Sequence, residues 1–217
     1  PDDHNTVYVG TGYLGRGHIY RSFDGGMNWN SNDIEEWRGI FGVNAAVLTV
    51  LCDGDDTATN YPYVWVGTEG QGAWYSEDDG YSFTQSSGLG YGKTVTEIVR
   101  VPGSHGAIAI LYAATPTGVF KSIDGGQTWA ETTQKFTNDI INTLILHPQS
   151  NGLNFHYLYV GTENAGVWFS KDGGAADLWT QCYPRGMGEG LSATVPVPDV
   201  NNEGNGTMSN VTVGLNT

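Results

Sequence analysis

Two glutamates occupy equivalent places in two copies of a short strand pattern, and they are the side chains best placed to do chemistry. Glu69 follows "VWVGT" and Glu163 follows "LYVGT", each at the point where a strand gives way to a turn. Paired carboxylates can act as general acid and general base when they face each other across a substrate. Acids in turns after strands are also ordinary solvated residues, and we favour that interpretation. We therefore predict no catalytic residue in this chain.

An acidic loop is the second candidate for chemistry. "CDGDDTATN" (52–60) places Asp53, Asp55 and Asp56 in one short stretch. Oxygen ligands at alternate positions suit Ca²⁺, but the glycine and glutamate that an EF-hand loop requires are missing. The histidines form no HExxH or HxH pair and the cysteines form no CxxC pair, so zinc has no support. We predict a solvated acidic hairpin and no cofactor, with calcium as the alternative.

The two cysteines and two glycosylation sequences bear on where the protein is found. Cys52 and Cys182 either form one long-range disulfide or remain buried free thiols, and the composition favours the disulfide. Asn205 and Asn210 each begin an Asn-x-Thr sequence, the acceptor for N-glycosylation in a secreted eukaryotic protein. These features predict an extracellular or cell-surface location.

The charge of the chain argues against two classes of partner. Among 217 residues there are 9 basic and 23 acidic side chains, giving a formal net charge of −14. Such a surface repels phosphate backbones and anionic lipid headgroups, so we expect no binding to nucleic acid or to membrane surfaces. No apolar run approaches the ~18 residues of a membrane span, so no membrane insertion is expected. Glycans, proteins or further copies of the same structure remain as partners.

Four similar segments recur along the chain and define its architecture. Their aspartates are separated by 54, 46 and 48 residues, close to the ~40–50 residues of a four-stranded propeller blade. The segments are SFDGGMNW (22–29), SEDDGYSF (76–83), SIDGGQTW (122–129) and SKDGGAADLW (170–179). The 32 glycines and abundant aromatic residues also suit short strands joined by tight turns.

Each segment has an interpretation in terms of folding. The glycines supply the positive φ of a tight turn between strands, and the aspartate accepts hydrogen bonds from the backbone of its own turn. The serine ties the other side of the turn, and the final aromatic residue packs between adjacent sheets. These structural residues are Ser22, Asp24, Gly26, Trp29, Ser76, Asp78, Gly80, Phe83, Ser122, Asp124, Gly126, Trp129, Ser170, Asp172, Gly174 and Trp179.

Strand patterns complete the repeating unit. A strand such as "VYVGT" (7–11) or "LYAAT" (111–115) precedes each segment, and β-branched runs at 43–51, 94–101 and 139–148 precede the later units. We predict an all-β fold, a β-propeller of four-stranded blades, with four blades visible in one domain or propeller segment over residues 1–217. The four blades either belong to a propeller of six or more blades or close through a C-terminal strand, and we favour the first.

The recurrent segments resemble the Asp-box, S-x-D-x-G-x-T-W. This repeat is found in sialidases, xyloglucan-cleaving glycoside hydrolases, sortilin-type receptors and photosystem II assembly factors. The segment 122–129 matches it at every position, whereas Asn28 replaces threonine and the fourth copy has an insertion before Trp179. The resemblance covers nearly the whole chain and implies a β-propeller, without implying one function.

The families that share the Asp-box suggest different activities. Sialidases need clustered arginines, whereas the five arginines here are scattered and the Arg-Ile-Pro signature is missing. Xyloglucan-cleaving enzymes carry an aspartate after the "Y-x-x-T" strand, where this chain has Gly12, Glu69, Pro116 and Glu163. We predict a non-catalytic extracellular module that binds glycans or proteins, or assembles into a larger structure. The alternative is a xyloglucanase-like hydrolase whose carboxylates lie partly outside this chain.

Overall fold

Antiparallel strands make up almost all of the regular structure in the computed structural model of the chain. The structure describes residues 6–13, 16–29, 45–53, 62–136, 139–147, 156–173 and 179–182. These residues form one two-stranded sheet and three four-stranded sheets, each from a continuous stretch of sequence. The predicted all-β propeller of repeated antiparallel blades is confirmed.

The strands are short and follow the repeats of the sequence. The first sheet contains β1 (Val7–Tyr13) and β2 (Arg16–Ser22). The second contains β3 (Val47–Cys52), β4 (Val64–Thr68), β5 (Gly72–Ser76) and β6 (Thr84–Gln85). The third contains β7 (Glu97–Arg100), β8 (Leu111–Thr115), β9 (Gly118–Ser122) and β10 (Ala130–Lys135), with a 3₁₀ turn at Gly106–Ile108. The fourth contains β11 (Ile141–Leu146), β12 (Leu158–Thr162), β13 (Val167–Ser170) and β14 (Trp179–Gln181).

Each sheet has two ends with different contents. The Asp-box turn lies between the third and fourth strands, at the same end as the connection between the first and second strands; we call this the box end. The turn between the second and third strands lies at the opposite end, together with the connection to the next sheet; we call this the turn end. In the first sheet, β1 and β2 correspond to the second and third strands of the other sheets.

Close packing explains the glycine of the "VGT" pattern. A Cβ atom at Gly67 would lie 2.6 Å from Thr49 on the neighbouring strand and 2.7 Å from Val95, which precedes β7 of the next sheet. Both distances are too short for a side chain, so the strand can approach its neighbours only with glycine there. Gly161 of the fourth sheet has the same relation to Thr143, at 2.9 Å.

Three apolar clusters lie between successive sheets and hold them together. Their central residues, from the first interface to the last, include Ile19 with Val64 and Val66, Trp65 with Leu111 and Phe120, and Tyr112 with Val160 and Trp179. Burying one such side chain contributes roughly 1.5–3 kcal/mol relative to leaving it exposed. The sheets therefore succeed one another in chain order, each packed against the one before it.

Candidate functional site

The Asp-box turns share one pattern of hydrogen bonds. In the third sheet, Ser122 Oγ donates to Asp124 Oδ1 at 2.8 Å and accepts from the Gly126 N–H at 2.9 Å. The Asp124 carboxylate also accepts from the Thr128 N–H at 2.9 Å and from the Thr128 hydroxyl. The serine and aspartate thus satisfy the backbone of their own turn.

The first, second and fourth boxes repeat parts of this pattern. Asn28 and Ser82 take the place of Thr128, and their N–H groups donate to Asp24 and Asp78 at 2.8 Å. In the fourth box Ser170 Oγ donates to Asp172 Oδ1 at 2.7 Å. The conformation of the turn therefore tolerates threonine, asparagine or serine two positions after Gly126 and its equivalents. Gly174 lies outside the described residues.

Hydrogen bonding lowers the pKa of the carboxyl groups in the first three boxes. For Asp24, bonds from the backbone and side chain of Asn28 and from Ser22 lower the pKa to about 2. For Asp124, partial burial opposes the shift, but the bonds from Thr128 and Ser122 prevail and the pKa is lowered. An acceptor that is already saturated by its own turn is poorly suited to proton transfer. The box aspartates are structural groups.

The terminal aromatic residues of the boxes differ in burial. Trp129 and Trp179 are buried between sheets and Phe83 is half-buried, as the sequence pattern predicts. Trp29 is exposed on the first sheet, where it lines an open groove of about 300 Å³ together with Val9 and Tyr20. The final aromatic residue of the box is therefore exposed in the first sheet but buried in the third and fourth sheets.

An aromatic side chain from each of the first three sheets reaches the following sheet at the box end. The indole N–H of Trp65 donates to the carbonyl of Gly125 at 2.7 Å. The Tyr112 hydroxyl lies 2.6 Å from Nδ1 of His156, and a side chain at Gly173 would collide with that hydroxyl. Tyr8 on the first sheet reaches the second sheet in the same way and donates to the Asp79 carbonyl at 3.1 Å.

Asp79 makes the contact between the first two sheets unlike the others. Its φ of 61° places it in the left-handed region, where the other boxes have glycine. Its carboxylate accepts hydrogen bonds from the Tyr8 hydroxyl and from the buried guanidinium of Arg21. The Arg21 guanidinium also lies between the rings of Phe23 and Tyr81, at 4.4 and 4.2 Å from their centroids. A charged contact is thus added to the backbone contact at this joint.

Asp53, predicted as part of an acidic loop, is a buried structural carboxylate. It accepts from the Gly106 N–H at 2.9 Å, lies 3.0 Å from Nδ1 of His105, and pairs with Arg100 at 3.3 Å. These groups belong to the third sheet, so Asp53 links the second and third sheets at the box end. Asp55 and Asp56 lie outside the described residues, and calcium at that loop stays a prediction.

The predicted disulfide is wrong. Cys52 ends β3 in the second sheet, whereas Cys182 follows β14 in the fourth, and both are free thiols. The third sheet intervenes between them, which prevents the close approach of backbones that a disulfide requires. Burial raises the pKa of Cys52 to about 12, with the charges of Asp79 and Asp53 acting in the same direction. Burial also raises the pKa of Cys182, so both thiols are poor nucleophiles.

The turn end carries the two candidate glutamates. Glu69 begins the turn between β4 and β5, and Glu163 begins the corresponding turn between β12 and β13. Both are exposed, and their N–H groups donate to the carbonyls of Ala46 and Ile140. They therefore sit at equivalent places in the second and fourth sheets, with the third sheet between them.

A second group at the turn end lies beside Glu69. The Gly92 N–H donates to the carbonyl of Gly70, and the Gly72 N–H donates to the carbonyl of Lys93, both at 2.8 Å. These bonds fix the segment 90–93 against the turn that holds Glu69. Tyr91, at the centre of this segment, is 81% exposed. A rigid backbone thus presents a flat aromatic ring and a carboxylate to solvent from the same sheet.

Asp139 is a turn-end residue that the sequence did not single out. Its carboxylate accepts hydrogen bonds from the N–H groups of Asn164 at 2.8 Å and Ala165 at 2.6 Å. In the second sheet, the Thr94 hydroxyl accepts a hydrogen bond from the Gly70 N–H at 3.1 Å. A small polar residue two or three positions before an innermost strand is the signal that could have identified both. Each fixes the turn that presents a glutamate to solvent.

Tyr81, in the box turn of the second sheet, covers Arg21 at the box end. Asn205 and Asn210 lie outside the described residues. Within the described ranges, no three side chains of His, Cys, Asp or Glu are grouped so as to hold a metal ion. No helix among the described residues is long and apolar enough to cross a membrane.

The sequence is similar to one carbohydrate-active protein. A xyloglucanase of Hypocrea jecorina (strain QM6a) is 29% identical over 145 residues. The match covers 67% of this chain but 16% of the xyloglucanase, so the chain spans a small part of that relative. A scan against protein-family models finds no match.

Solved structures confirm the fold. The GH74 enzyme of Niastella koreensis has a TM-score of 0.61 at 19% identity, over 86% of this chain and 29% of that one. An ancestral GH74 enzyme has a TM-score of 0.58 at 21% identity, over 92% of this chain and 23% of that one. The GH74 xyloglucanase of Xanthomonas campestris has a TM-score of 0.55 at 16% identity, over 85% and 30%. The chain is thus a β-propeller that is similar in sequence to part of a xyloglucanase and similar in fold to GH74 enzymes.

Proposed function

We propose that this chain is a glucan-binding segment of a glycoside hydrolase-related propeller, and that it holds a xyloglucan-type β-glucan along the turn end. The observation that carries the proposal is the 29% identity to a xyloglucanase over 145 residues. The box end is a less suitable place for a ligand because the carboxylates of Asp124 and Asp53 there are hydrogen-bonded within the protein. The turn end, in contrast, presents exposed polar groups and an exposed ring.

Tyr91 and Glu69 supply the two kinds of contact that a sugar chain needs. The apolar face of a pyranose ring packs on an aromatic ring, and its hydroxyl groups donate to a carboxylate. The hydrogen bonds from Gly92 and Gly72 hold the backbone of both residues in place before binding, so little backbone entropy is lost when the sugar binds. The negative charge of the chain does not oppose a neutral polysaccharide.

Hydrolysis requires two carboxyl groups that face each other across the bond to be cleaved, and in this proposal Glu69 and Glu163 do not form such a pair. Glycosidases place two carboxyl groups about 5–9.5 Å apart on either side of the bond to be cleaved. Glu69 and Glu163 belong to sheets that are separated by a third sheet. In this proposal the chain binds substrate, and any turnover depends on carboxylates outside the described residues.

Calorimetric titration of the chain with xyloglucan oligosaccharides tests the proposal, with mannan oligosaccharides as the comparison ligand. We expect saturable binding to the glucan, weakened in Glu69→Gln and unchanged in Glu77→Gln, an exposed glutamate at the box end. Absence of glucan binding, or equal binding to mannan, would overturn the proposal. A reducing-sugar assay on the same samples separates binding from turnover. Turnover that is abolished by Glu69→Gln or Glu163→Gln would make this chain itself the hydrolase.

A non-catalytic extracellular scaffold is the second candidate. It is favoured by the structural use of the buried carboxylates of Asp53 and Asp139, which are committed to joining sheets and fixing turns. A scaffold would show neither glucan binding nor turnover in the experiment above. An extracellular location is common to both candidates and is supported by the sequences at Asn205 and Asn210.

A further inference from the structure

The joints between successive sheets have two equivalent positions at the box end. The first, which we call the strand position, pairs across the strands with the aromatic residue that reaches the following sheet. The second, which we call the box position, directly follows the aspartate of the Asp-box in that following sheet. From the first joint to the third, the two positions hold Arg21 and Asp79, Tyr75 and Gly125, and Lys121 and Gly173. Among these three joints, the first has opposite charges at the two positions.

Apolar packing distinguishes one joint poorly from another. Similar aliphatic residues form the centre of each cluster: Val64 and Val66 in the first joint, Leu111 in the second, and Leu158 and Val160 in the third. Hydrophobic burial has no direction, so an apolar sheet face accepts other apolar faces of similar shape. A chain of similar sheets therefore has wrong pairings available, and misassembly between repeats is a characteristic failure of such chains during folding.

The guanidinium of Arg21 is buried against groups of the second box. Its side chain is 1% exposed, and Nη1 donates to the Asp79 carbonyl and, at 3.2 Å, to the Asp79 carboxylate. The ring of Tyr81 in the same box lies 4.2 Å from the guanidinium, and the ring of Phe23 in the first box lies at 4.4 Å. Arg21 therefore receives both a carboxylate and an aromatic ring from the sheet that follows it.

The third and fourth boxes have neither this carboxylate nor room for one. Gly125 and Gly173 occupy their box positions. A Cβ atom at Gly125 would lie 2.6 Å from a backbone carbonyl oxygen of the third sheet, and one at Gly173 would collide with the hydroxyl of Tyr112. If the first sheet packed on either box, Arg21 would be buried without the carboxylate that Asp79 supplies. A buried charge without its partner is strongly unfavourable.

We propose that Arg21 and Asp79 select the second sheet as the neighbour of the first while the chain folds, and that they contribute pairing specificity rather than net stability. The desolvation of two buried charges offsets much of their attraction, so the correct pair adds little to stability. A wrong pairing leaves the Arg21 charge buried without that attraction. The left-handed backbone of Asp79, with a φ of 61°, is a further cost that glycine would avoid. The pair thus acts like the single polar residue that fixes the register of a coiled coil.

Equilibrium stability and refolding yield of the full chain, measured side by side, test the proposal. The double variant Arg21→Met with Asp79→Gly removes both charges, keeps an apolar side chain at the strand position and places glycine at the left-handed box position. Its urea midpoint should lie within about 0.5 M of the wild-type midpoint, because the pair adds little net stability. Its yield of native monomer after dilution from urea should nevertheless be lower, by roughly twofold or more.

Size-exclusion chromatography combined with tryptophan fluorescence measures the yield. Native monomer elutes as a species of 23.3 kDa with the fluorescence spectrum of protein that was never unfolded. Pairing between sheets of two chains gives dimers and larger species, whereas wrong pairing within one chain gives a monomer with an altered spectrum. We expect the double variant to produce both kinds of product, and the share of dimers to rise with protein concentration.

Two control variants separate pairing specificity from other effects. Lys121→Met removes the cation at the strand position of the third joint, where the box position is Gly173, and should refold with the wild-type yield. Asp124→Ala weakens one box turn outside the first joint, so its urea midpoint should fall while its refolding yield stays high.

Four results would overturn the proposal. The first is a double variant that refolds as completely as wild type, and the second is a double variant whose urea midpoint falls by more than about 0.5 M, because the pair would then act through stability. The third is a Lys121→Met or Asp124→Ala yield as low as that of the double variant. The fourth is a wild-type chain that itself returns mixed products, because its charged pair would then select no neighbour.

Discussion

The box end and the turn end of the sheets are made by the same repeats but use their side chains differently. At the box end, Ser122, Asp124 and Thr128 exchange hydrogen bonds within one turn, and Trp65 adds a bond from the preceding sheet. At the turn end, Glu69 and Tyr91 face solvent on turns that are fixed from behind. The box end, whose hydrogen bonds are satisfied within the protein, holds the sheets together, and in the proposed function the turn end binds the ligand. If this comparison is right, substitutions at the box end should cost stability, and substitutions at the turn end should leave it unchanged.

The largest loss of stability is expected for Trp65→Ala. The Trp65 side chain is fully buried between the second and third sheets and donates to Gly125. Its removal leaves a cavity and an unsatisfied carbonyl, and should lower the free energy of unfolding by about 3–5 kcal/mol. Urea denaturation followed by tyrosine and tryptophan fluorescence would measure the change. A loss below about 1 kcal/mol would mean that the box-end joints do not hold the sheets together.

The next largest effect is expected at the charged joint between the first two sheets. Asp79→Ala removes the carboxylate that pairs with the buried guanidinium of Arg21. Breaking a buried pair costs about 3–5 kcal/mol, and because the Asp79 side chain is 16% exposed we expect a somewhat smaller loss of about 2–4 kcal/mol.

The control for this joint is the double variant Asp79→Gly with Arg21→Met. It restores glycine at the left-handed position and removes the buried charge, so it should recover most of the lost stability in the same urea experiment. A double variant no more stable than Asp79→Ala would show that the unpaired charge of Arg21 is not the cause of the loss.

A smaller loss, with a dependence on pH, is expected for Asp124→Ala. It should lower the free energy of unfolding by about 1–3 kcal/mol, because Ser122 and the Thr128 N–H lose their acceptor. The pKa of Asp124 is lowered in the folded protein, so its contribution is complete above the unfolded pKa of about 4. It is lost as the pH falls from there toward the folded pKa. The difference between wild type and variant should therefore shrink between pH 5 and pH 2; a constant difference would contradict the assignment.

The repeat made much of the fold predictable, because each box carries its hydrogen bonds within a few residues. Ser22, Asp24 and Asn28 can be paired from the sequence alone, since all three lie in one turn. Asp79 could not be interpreted in this way. Its substitution for glycine becomes meaningful only through Arg21, 58 residues earlier, and that contact depends on how two sheets pack. The predicted disulfide was wrong for the same reason, because chain spacing does not show that a whole sheet separates Cys52 from Cys182.

The candidate site was predictable only in part. Glu69 and Glu163 were identified by their place after a strand, and both lie at the turn end as that place implies. Their separation by the third sheet follows from the order of the sheets and not from either local sequence. Asp139 and Thr94, which fix the turns from behind, act across connections whose course the strand pattern leaves undetermined.

The smallest effect on stability, and the sharpest test of the comparison, is expected for Tyr91→Ser. Because Tyr91 is 81% exposed, its loss should change the free energy of unfolding by less than about 0.5 kcal/mol. Binding of xyloglucan oligosaccharides should nevertheless weaken roughly 10-fold, equivalent to about 1.4 kcal/mol, because the stacking surface is gone. Tyr91→Phe keeps that surface and should bind within about twofold of wild type. If Tyr91→Ser instead destabilises the protein as much as Asp124→Ala does, the turn end shares the structural role of the box end. The division between a structural end and a binding end would then fail.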